Sequence, residues 1–127
     1  MRMLLIDDNE LSGLIESSIL SAFGICDYTK DGVEGLNMYS KSRLLKPYDV
    51  IFLDIIMPKY SGYQILDMIR SYEKANNVEN SVHIVIVSDL NDRESQEQAF
   101  RLGANGYINK PLSRLTIKKY IEEHNLK

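Results

Sequence analysis

Short apolar runs recur along this chain, separated by longer segments in which apolar residues have helical spacing. Each run is long enough for a buried strand and too short for a helix. The five runs are Met3 to Ile6, Ile25 to Tyr28, Val50 to Leu53, His83 to Val87 and Gly106 to Ile108. Because nearly every residue in them is apolar, we predict the strands of a sheet that helices cover on both faces.

The segments between the runs predict helices. Three of them have apolar residues at helical spacing behind a capping or helix-breaking residue. These residues are Leu11, Leu14, Ile15 and Ile19, then Ile65, Leu66, Ile69 and Tyr72, and finally Ile117, Tyr120, Ile121 and His124. The fourth helix, from about Asp92 to Leu102, is mostly polar, and we expect it to be weakly anchored. The polar stretch from Glu73 to Ser81 is interpreted as the end of the third helix and a solvated loop.

Strict alternation of strands and helices with short connections predicts parallel strands joined by right-handed crossovers. The predicted fold is therefore α/β, a doubly wound sheet of five parallel strands in the order 2-1-3-4-5 with helices on both faces. The 127 residues are 44% hydrophobic and 26% charged, a balance typical of a globular domain with a core. Without a linker or a change of composition along the chain, residues 1–127 are interpreted as a single domain.

Charge and apolar length exclude two classes of partner. The net charge is −3, and the basic residues are scattered, so no basic patch for nucleic acid is predicted. The apolar start of the chain is too short for a signal peptide, and no later run could span a bilayer. We expect a cytoplasmic protein with no direct nucleic acid or membrane partner. The single cysteine, Cys26, cannot form an internal disulfide and is interpreted as a small buried hydrophobe.

Polar residues follow or close four of the predicted strands. Asp7 and Asp8 follow the first strand, Asp54 the third, Ser88 the fourth and Lys110 the fifth. The carboxyl ends of parallel strands meet at one edge of a sheet, and ligands bind there at the point where the strand order reverses. With the first and third strands as neighbours, we expect three carboxylates beside one ammonium and one hydroxyl.

This group of residues predicts phosphoryl-transfer chemistry. Two carboxylates at about 4 Å repel each other by about 4 kcal/mol at an effective dielectric of 20, so cations must compensate. Lys110 supplies one positive charge, and Mg²⁺ bound by carboxylates, a carbonyl and water would supply two more. A carboxylate could then attack phosphorus, with Lys110 and Ser88 contacting the phosphoryl oxygens. Taken singly, the aspartates could cap a helix or end a strand, and only their combination carries the prediction.

Three segments resemble the receiver domains of response regulators in two-component signalling, and the resemblance extends from Met3 to about Glu123. LLIDDN resembles the acidic pair of that family, DVIFLDIIMPKYSG its phosphoacceptor segment, and GANGYINKP its switch tyrosine and lysine region. The resemblance implies a flavodoxin-like (βα)5 fold.

The resemblance also implies what the residues do. Asp54 would be the phosphoacceptor, Ser88 and Lys110 would hold the phosphoryl group, and Tyr107 would turn inward when Ser88 moves toward the phosphate. A sensor histidine kinase or a histidine phosphotransfer protein would be the donor. The face formed by the fourth helix, the fifth strand and the fifth helix would then meet a downstream partner or a second copy. Such a domain is not an enzyme, although it assists its own phosphorylation and dephosphorylation.

The implied metal is Mg²⁺. Asp8, Asp54 and the backbone carbonyl of Ile56 would bind it, while Asp7 would act through metal-bound water.

Three further positions are expected to tune the reaction. Asp89 stands where the family usually has a small residue, and an extra acid there would hinder an anionic phosphodonor or alter metal affinity. Ile56 and Leu90, two residues beyond Asp54 and Ser88, occupy positions that tune dephosphorylation in this family. Their apolar side chains offer nothing to orient an attacking water, so we predict a slowly hydrolysing phosphoaspartate.

Two other functions fit the sequence less well. A receiver fold that works as a phosphorylation-independent interaction module has only Asp89 in its favour. An enzyme on the same fold fits poorly, because an aspartyl phosphatase would need an acid where Ile56 stands. A flavin site would need small hydrogen-bond donors where Asp7 and Asp8 would repel phosphate.

Overall fold

A computed structural model, in which residues 1–126 are described, contains a parallel sheet with helices on both faces. The strands are β1 (Arg2–Ile6), β2 (Ile25–Thr29), β3 (Val50–Asp54), β4 (His83–Ser88) and β5 (Gly106–Asn109). The helices are α1 (Glu10–Leu20), α2 (Gly32–Ser42), α3 (Gly62–Ala75), α4 (Arg93–Arg101) and α5 (Arg114–Glu123). All neighbouring strands are parallel and the order is β2-β1-β3-β4-β5. The predicted fold class and strand order are confirmed.

The apolar strands separate two layers of core. Successive residues of a strand point to opposite faces, so each central strand supplies both layers. On one face Ile51 and Leu53 pack with α2, α3 and α4, and on the other Val50 and Phe52 pack with α1 and α5. Every residue of β3 is buried, which explains why its sequence is apolar up to Asp54.

Helix α1 buries a face that its apolar spacing does not indicate. Leu11, Leu14 and Ile15 are 69%, 65% and 55% exposed, whereas the buried residues are Gly13, Glu16 and Leu20. Gly13 lies so close to β2 that a Cβ added there would stand 2.4 Å from the Tyr28 ring. Close approach at Gly13 therefore decides which face is buried, and three of the apolar residues that predicted the helix point away from the core.

The β3–α3 connection is held tightly against the sheet. Ser61 and Gln64 form a capping box at the start of α3, and the Gly62 amide donates to the Ile55 carbonyl at 2.7 Å. A Cβ at Gly62 would stand 2.2 Å from the Asp54 carbonyl oxygen. A glycine is required here because the helix begins directly against the backbone of Asp54.

The polar stretch from Glu73 to Ser81 is the end of α3 and a mostly exposed loop, as interpreted, although Glu73 itself is buried. Glu73 is buried on α3, accepts hydrogen bonds from the Tyr39 hydroxyl at 2.7 Å and the Val82 amide at 2.8 Å, and pairs with Arg70 at 2.7 Å. A glutamate with this many donors can be buried without leaving its charge unpaired.

Helix α4 is attached weakly, as expected. Ala99 is its buried residue, and Phe100 is partly exposed. Asp92 caps its start, and Gly103 follows its end with φ of 105°, a left-handed conformation that favours glycine. Few apolar contacts hold this element, which is typical of segments that move.

Two further expectations were that Cys26 is buried and that no segment spans a membrane. Cys26 is half-buried, and burial, with a contribution from Asp27, raises the pKa of its thiol to about 12. Among residues 1–126, no helix has the length and apolar character needed to cross a membrane.

The buried face of α1 can be tested with two matched substitutions. Leu20→Ala is expected to lower the free energy of unfolding by about 2–5 kcal/mol, because Leu20 is fully buried. Leu14→Ala is expected to change it by less than about 1 kcal/mol, because most of that side chain is already in water. Urea denaturation measures both, and equal losses would contradict the assignment of the buried face.

Candidate functional site

The predicted site residues converge at the carboxyl edge of the sheet. Asp54 is the last residue of β3 and Ser88 the last of β4, while Asp7 follows β1. Lys110 follows β5, and its amide donates to the Ser88 carbonyl at 2.9 Å. Since β1 and β3 are neighbours and the chain winds outward from them in both directions, this edge contains the point of reversal where ligands bind in such sheets.

Three carboxylates and one ammonium form the centre of the site. Asp7, Asp8 and Asp54 each offer an oxygen, and these atoms all lie within 4.8 Å of one another. Asp7 is fully buried and Asp54 is 7% exposed. The Lys110 Nζ lies 3.0 Å from Asp7 Oδ2 and 3.6 Å from Asp54 Oδ2. Of these three aspartates, Lys110 thus contacts the two buried ones, and Asp8 stands beside them.

The pKa of Asp54 shows that its negative charge is only partly compensated. Burial raises this pKa to about 6, Lys110 acts in the opposite direction, and the Asp7 carboxylate adds to the rise. The Ile56 amide also favours the ionised form, through a hydrogen bond to Asp54 Oδ1 at 3.4 Å. Asp54 is therefore mostly ionised at neutral pH. A further positive charge in the site would stabilise its carboxylate.

In Asp7 and Lys110, unlike Asp54, hydrogen bonds and neighbouring charges outweigh the effect of burial on the pKa. Burial acts to raise the pKa of Asp7, but hydrogen bonds from Glu16, the Asn9 amide and Lys110 outweigh it and lower the pKa. Burial likewise acts to lower the pKa of Lys110, and the hydrogen bond to Asp7 and the charges of Asp54 and Glu16 outweigh it and raise the pKa. Both groups are held in their charged forms.

Glu16 is a site residue that sequence reasoning missed. It is 5% exposed on the buried face of α1, and its Oε2 lies 3.6 Å from the Lys110 Nζ. Burial raises the pKa of Glu16 to about 8, and the hydrogen bond and charge of Asp7 add to the rise. Its Oε1 is buried and has no hydrogen-bond partner among the described residues. The available signal was its spacing of three residues from Gly13 and four from Leu20, a periodicity that became meaningful once the buried face was known.

The oxygen atoms fit a hard divalent cation. Mg²⁺ prefers carboxylate, carbonyl and water oxygens, and Asp7, Asp8 and Asp54 supply carboxylate oxygens at one point. The acids at this edge also outnumber the lysine that contacts them. These residues therefore fit the predicted ion, while the role of the Ile56 carbonyl stays a prediction.

A short chain of hydrogen bonds connects Ser88 with Tyr107. The fully buried Ser88 accepts a hydrogen bond at Oγ from the Leu90 amide at 3.0 Å, and the Leu90 carbonyl accepts one from the Tyr107 hydroxyl at 2.6 Å. Leu90 is thus the shared partner of the two predicted switch residues. Asp89 is exposed and lines a cavity of about 270 Å³ together with Glu16 and Lys110, so it stands at the rim of the site.

Comparison with known proteins identifies the family. The model of the response regulator receiver domain matches residues 3–122. The chain therefore belongs to the response regulator receiver domain family and is a receiver domain of two-component signalling.

This chain covers very different shares of its relatives. The chemotaxis protein CheY of Treponema pallidum is 34% identical over 124 residues, which cover 95% of this chain and 78% of that protein. The hybrid signal transduction histidine kinase F of Dictyostelium discoideum is 32% identical over 129 residues, which cover 98% of this chain and 11% of that kinase. The chain thus spans only a small part of one relative and most of the other.

Solved structures share the fold. The CheX–CheY–BeF3–Mg²⁺ complex from Borrelia burgdorferi matches with a TM-score of 0.84 at 25% identity, over 100% of this chain and 90% of that chain. The complex of the Saccharomyces cerevisiae histidine phosphotransfer protein Ypd1 with the receiver domain of Ssk1 matches with a TM-score of 0.85 at 27% identity, over 97% of this chain and 87% of that chain.

The raised pKa of Asp54 predicts a pH-dependent stability. A carboxyl that binds its proton more tightly in the folded state stabilises the fold below its unfolded pKa, near 3.8, and this stability is lost as the pH rises to about 6. Asp54→Asn is therefore expected to raise the free energy of unfolding at pH 7.5, by on the order of 1–3 kcal/mol, and to change it little at pH 3.5.

Urea denaturation in metal-free buffer at several pH values measures this difference. Asp67→Asn, at an exposed position of α3, is the matched control and should follow the wild type at every pH. If Asp54→Asn and the wild type kept the same pH dependence, the account of this carboxylate would be wrong.

Proposed function

We propose that this receiver domain accepts a phosphoryl group on Asp54 in a Mg²⁺-dependent reaction. One observation carries the proposal: an ionisable carboxylate at the end of a fully buried strand, 3.6 Å from Lys110 and grouped with Asp7 and Asp8. A carboxylate oxygen of Asp54 would form the new bond to phosphorus as the bond from phosphorus to the donor breaks.

The surrounding residues would orient the nucleophile and hold the incoming group. The Ile56 amide contacts Asp54 Oδ1, which leaves Oδ2, the oxygen nearer to Lys110, to accept the phosphoryl group. The Lys110 ammonium and the Ser88 hydroxyl would then hydrogen-bond phosphoryl oxygens. Mg²⁺, held by Asp8, Asp54 and the Ile56 carbonyl with Asp7 behind a water, would supply positive charge to the same oxygens.

The domain would act on itself and would not turn over a substrate. Asp54 is consumed when it is phosphorylated and restored when water removes the group, so the domain assists one cycle of its own modification. We assign it no separate enzyme activity.

Phosphorylation would be read out through the α4–β5–α5 face, formed by Arg93–Arg101, Gly106–Asn109 and Arg114–Glu123. Leu90 hydrogen-bonds both Ser88 and Tyr107, so a movement of Ser88 toward a phosphoryl oxygen would reach Tyr107 through one residue. The weak attachment of α4 supports a rearrangement here, and a downstream partner or a second copy would bind the changed face.

A protein donor carrying phosphohistidine is the proposed partner on the other side of the site. Leu11, Leu14 and Ile15 leave an exposed apolar surface on α1, which begins two residues after Asp8, and Leu115 on α5 is exposed too. An exposed apolar surface of this kind is typical of a protein contact. The fold match to a receiver in complex with a histidine phosphotransfer protein supports a donor of that class or a sensor histidine kinase.

Phosphorylation can be tested with acetyl phosphate and Mg²⁺. The wild type is expected to gain the mass of one phosphoryl group, and Asp54→Asn is expected to gain none, because the nucleophile is absent. Intact-protein mass spectrometry measures both, with chelation of Mg²⁺ as a second negative control and Asp67→Asn as a variant that should react normally. An unmodified wild type would favour the phosphorylation-independent interaction module.

The lifetime of the phosphoaspartate is a separate prediction. The exposed apolar side chains of Ile56 and Leu90 contain no group that could orient a water molecule toward phosphorus. We expect slow hydrolysis in Mg²⁺ buffer after the donor is removed, and several-fold faster hydrolysis in Ile56→Gln, whose amide can hold a water. Loss of the added mass over time measures both, and a wild-type lifetime of only seconds would contradict the prediction.

A further inference from the structure

The two histidines of the chain meet at the edge of the sheet opposite to the phosphoacceptor site. His83 is the first residue of β4, and His124 caps the C-terminal end of α5. Their ring centroids are 5.6 Å apart, and the ring of Tyr120 on α5 stacks on His124 with centroids at 3.8 Å. The His83 Nε2 lies 2.6 Å from the Tyr120 hydroxyl oxygen. These three residues form a histidine–tyrosine cluster to which the proposed phosphorylation assigns no role.

The histidine–tyrosine cluster attaches the end of α5 to the sheet. Tyr120 is buried, and its hydroxyl fills the space that a Cβ at Gly106 of β5 would occupy. Through His83 the same hydroxyl contacts the start of β4. Beyond Tyr120, the apolar residues Ile121 and Leu126 are only partly buried. The contact between the hydroxyl and the imidazole is therefore an important part of what holds this end of the helix.

The charged groups that α3 places beside His83 offer it no free counter-ion. Arg70 donates to the carbonyl of Val82, the residue before His83, at 2.9 Å. The Glu73 carboxylate pairs with Arg70 at 2.7 Å and accepts from the Val82 amide at 2.8 Å. The residue of β3 that pairs with His83 is Val50, which is uncharged. Within residues 1–126, neither histidine forms an ion pair with a carboxylate.

Burial and positive charge both favour the neutral imidazole of His83. Burial lowers the pKa of His83, and His124 and Arg70 lower it further. The Tyr120 hydroxyl can donate to the His83 Nε2 only while that nitrogen carries no proton. A proton on His83 would remove this acceptor and add a half-buried positive charge without a partner, which is unfavourable.

We propose that the histidine–tyrosine cluster is a pH-sensitive attachment of α5, which holds the C-terminal end of the helix on the sheet at neutral pH and loosens in mildly acidic solution. This helix is part of the α4–β5–α5 face, so pH would act on the surface proposed to bind a partner. That consequence rests on the proposed function, whereas the loosening of α5 concerns the unphosphorylated domain alone.

Two carboxyl groups at the opposite edge of the sheet titrate in the same pH range with the opposite effect on stability. The pKa values of Asp54 and Glu16 are raised to about 6 and about 8. A carboxyl whose pKa is raised by folding makes the fold more stable as the pH falls, whereas a histidine whose pKa is lowered makes it less stable. A loss of structure at α5 on acidification would therefore not come from these two acids.

Hydrogen exchange of the unphosphorylated domain at pH 7.5 and pH 5.5 measures the attachment, after correction for the intrinsic pH dependence of exchange. In the wild type, we expect the protection of the last turns of α5 to fall at pH 5.5 by on the order of threefold to tenfold. Protection of α2, which does not contact the histidine–tyrosine cluster, should not fall.

The double variant His83→Gln/His124→Gln removes every imidazole, because the sequence has no other histidine. Glutamine can accept the hydrogen bond of the Tyr120 hydroxyl and does not titrate, so we expect α5 to keep the same protection at both pH values. Lys118→Gln, at an exposed position of the same helix, is the matched control. It keeps both imidazoles and should lose protection as the wild type does.

Equal protection of α5 at both pH values in the wild type would overturn the inference. A folded double variant that loses as much protection as the wild type would overturn it too, and urea denaturation at pH 7.5 checks the fold. If the double variant does not fold, an NMR titration of the wild-type imidazoles decides, because the midpoint of the loss of protection must then coincide with the titration of His83. A protein that acetyl phosphate fails to modify would contradict the proposed function and leave these measurements unaffected.

Discussion

The contact between Lys110 and Asp7 is the interaction on which the site depends. The two residues follow β5 and β1, which are separated in the sheet by β3 and β4, yet the ammonium reaches the carboxylate at 3.0 Å. Asp54 ends one of the strands between them, and the same ammonium lies 3.6 Å from it. Buried charges of this kind are tolerated only when they are paired, so the lysine is what allows two acids to remain ionised at the edge of an apolar sheet. The compensation is incomplete, and the remaining negative charge favours a divalent cation there, whose own charge would in turn offset the repulsion between the carboxylates and an anionic phosphoryl group.

The scaffold explains how such an unfavourable group of charges is kept in place. Strand β3 is buried along its whole length, so its last residue has a fixed position. The start of α3 presses Gly62 against the Asp54 backbone, and a capping box holds that helix end. The apolar core therefore stabilises the fold and also fixes the atoms of the proposed nucleophile relative to Lys110. By contrast, helix α4 on the α4–β5–α5 face has little buried surface. The proposed phosphoacceptor is therefore held rigidly, while part of the face proposed to bind a partner is only weakly attached.

Strand ends could be predicted from the sequence because two simple regularities act together. Fully apolar runs mark buried parallel strands, and parallel strands bring their carboxyl ends to one edge, so Asp54, Ser88 and Lys110 could be placed without coordinates. The buried face of α1 could not be predicted, because Leu11, Leu14 and Ile15 have helical spacing just as the residues of the buried face do. The close approach of Gly13 to Tyr28 decides between the faces, and it is a tertiary contact that local spacing does not contain. Glu16 was missed for that reason. The burial of Glu73 was missed because, in a polar stretch, a buried glutamate cannot be told from a solvated one until its hydrogen-bond donors are known.

In the proposed reaction, the phosphoryl group is attached to Asp54 while Lys110 and Ser88 hold its oxygens. A crystal structure of this domain with Mg²⁺ and the phosphoryl mimic BeF3⁻ tests it most directly. We predict BeF3⁻ on an Asp54 carboxylate oxygen, with the Lys110 ammonium and the Ser88 hydroxyl at hydrogen-bond distance from its fluorine atoms. An Asp54 carboxylate that stays free at saturating Mg²⁺ and BeF3⁻, or BeF3⁻ bound to another residue, would contradict the account.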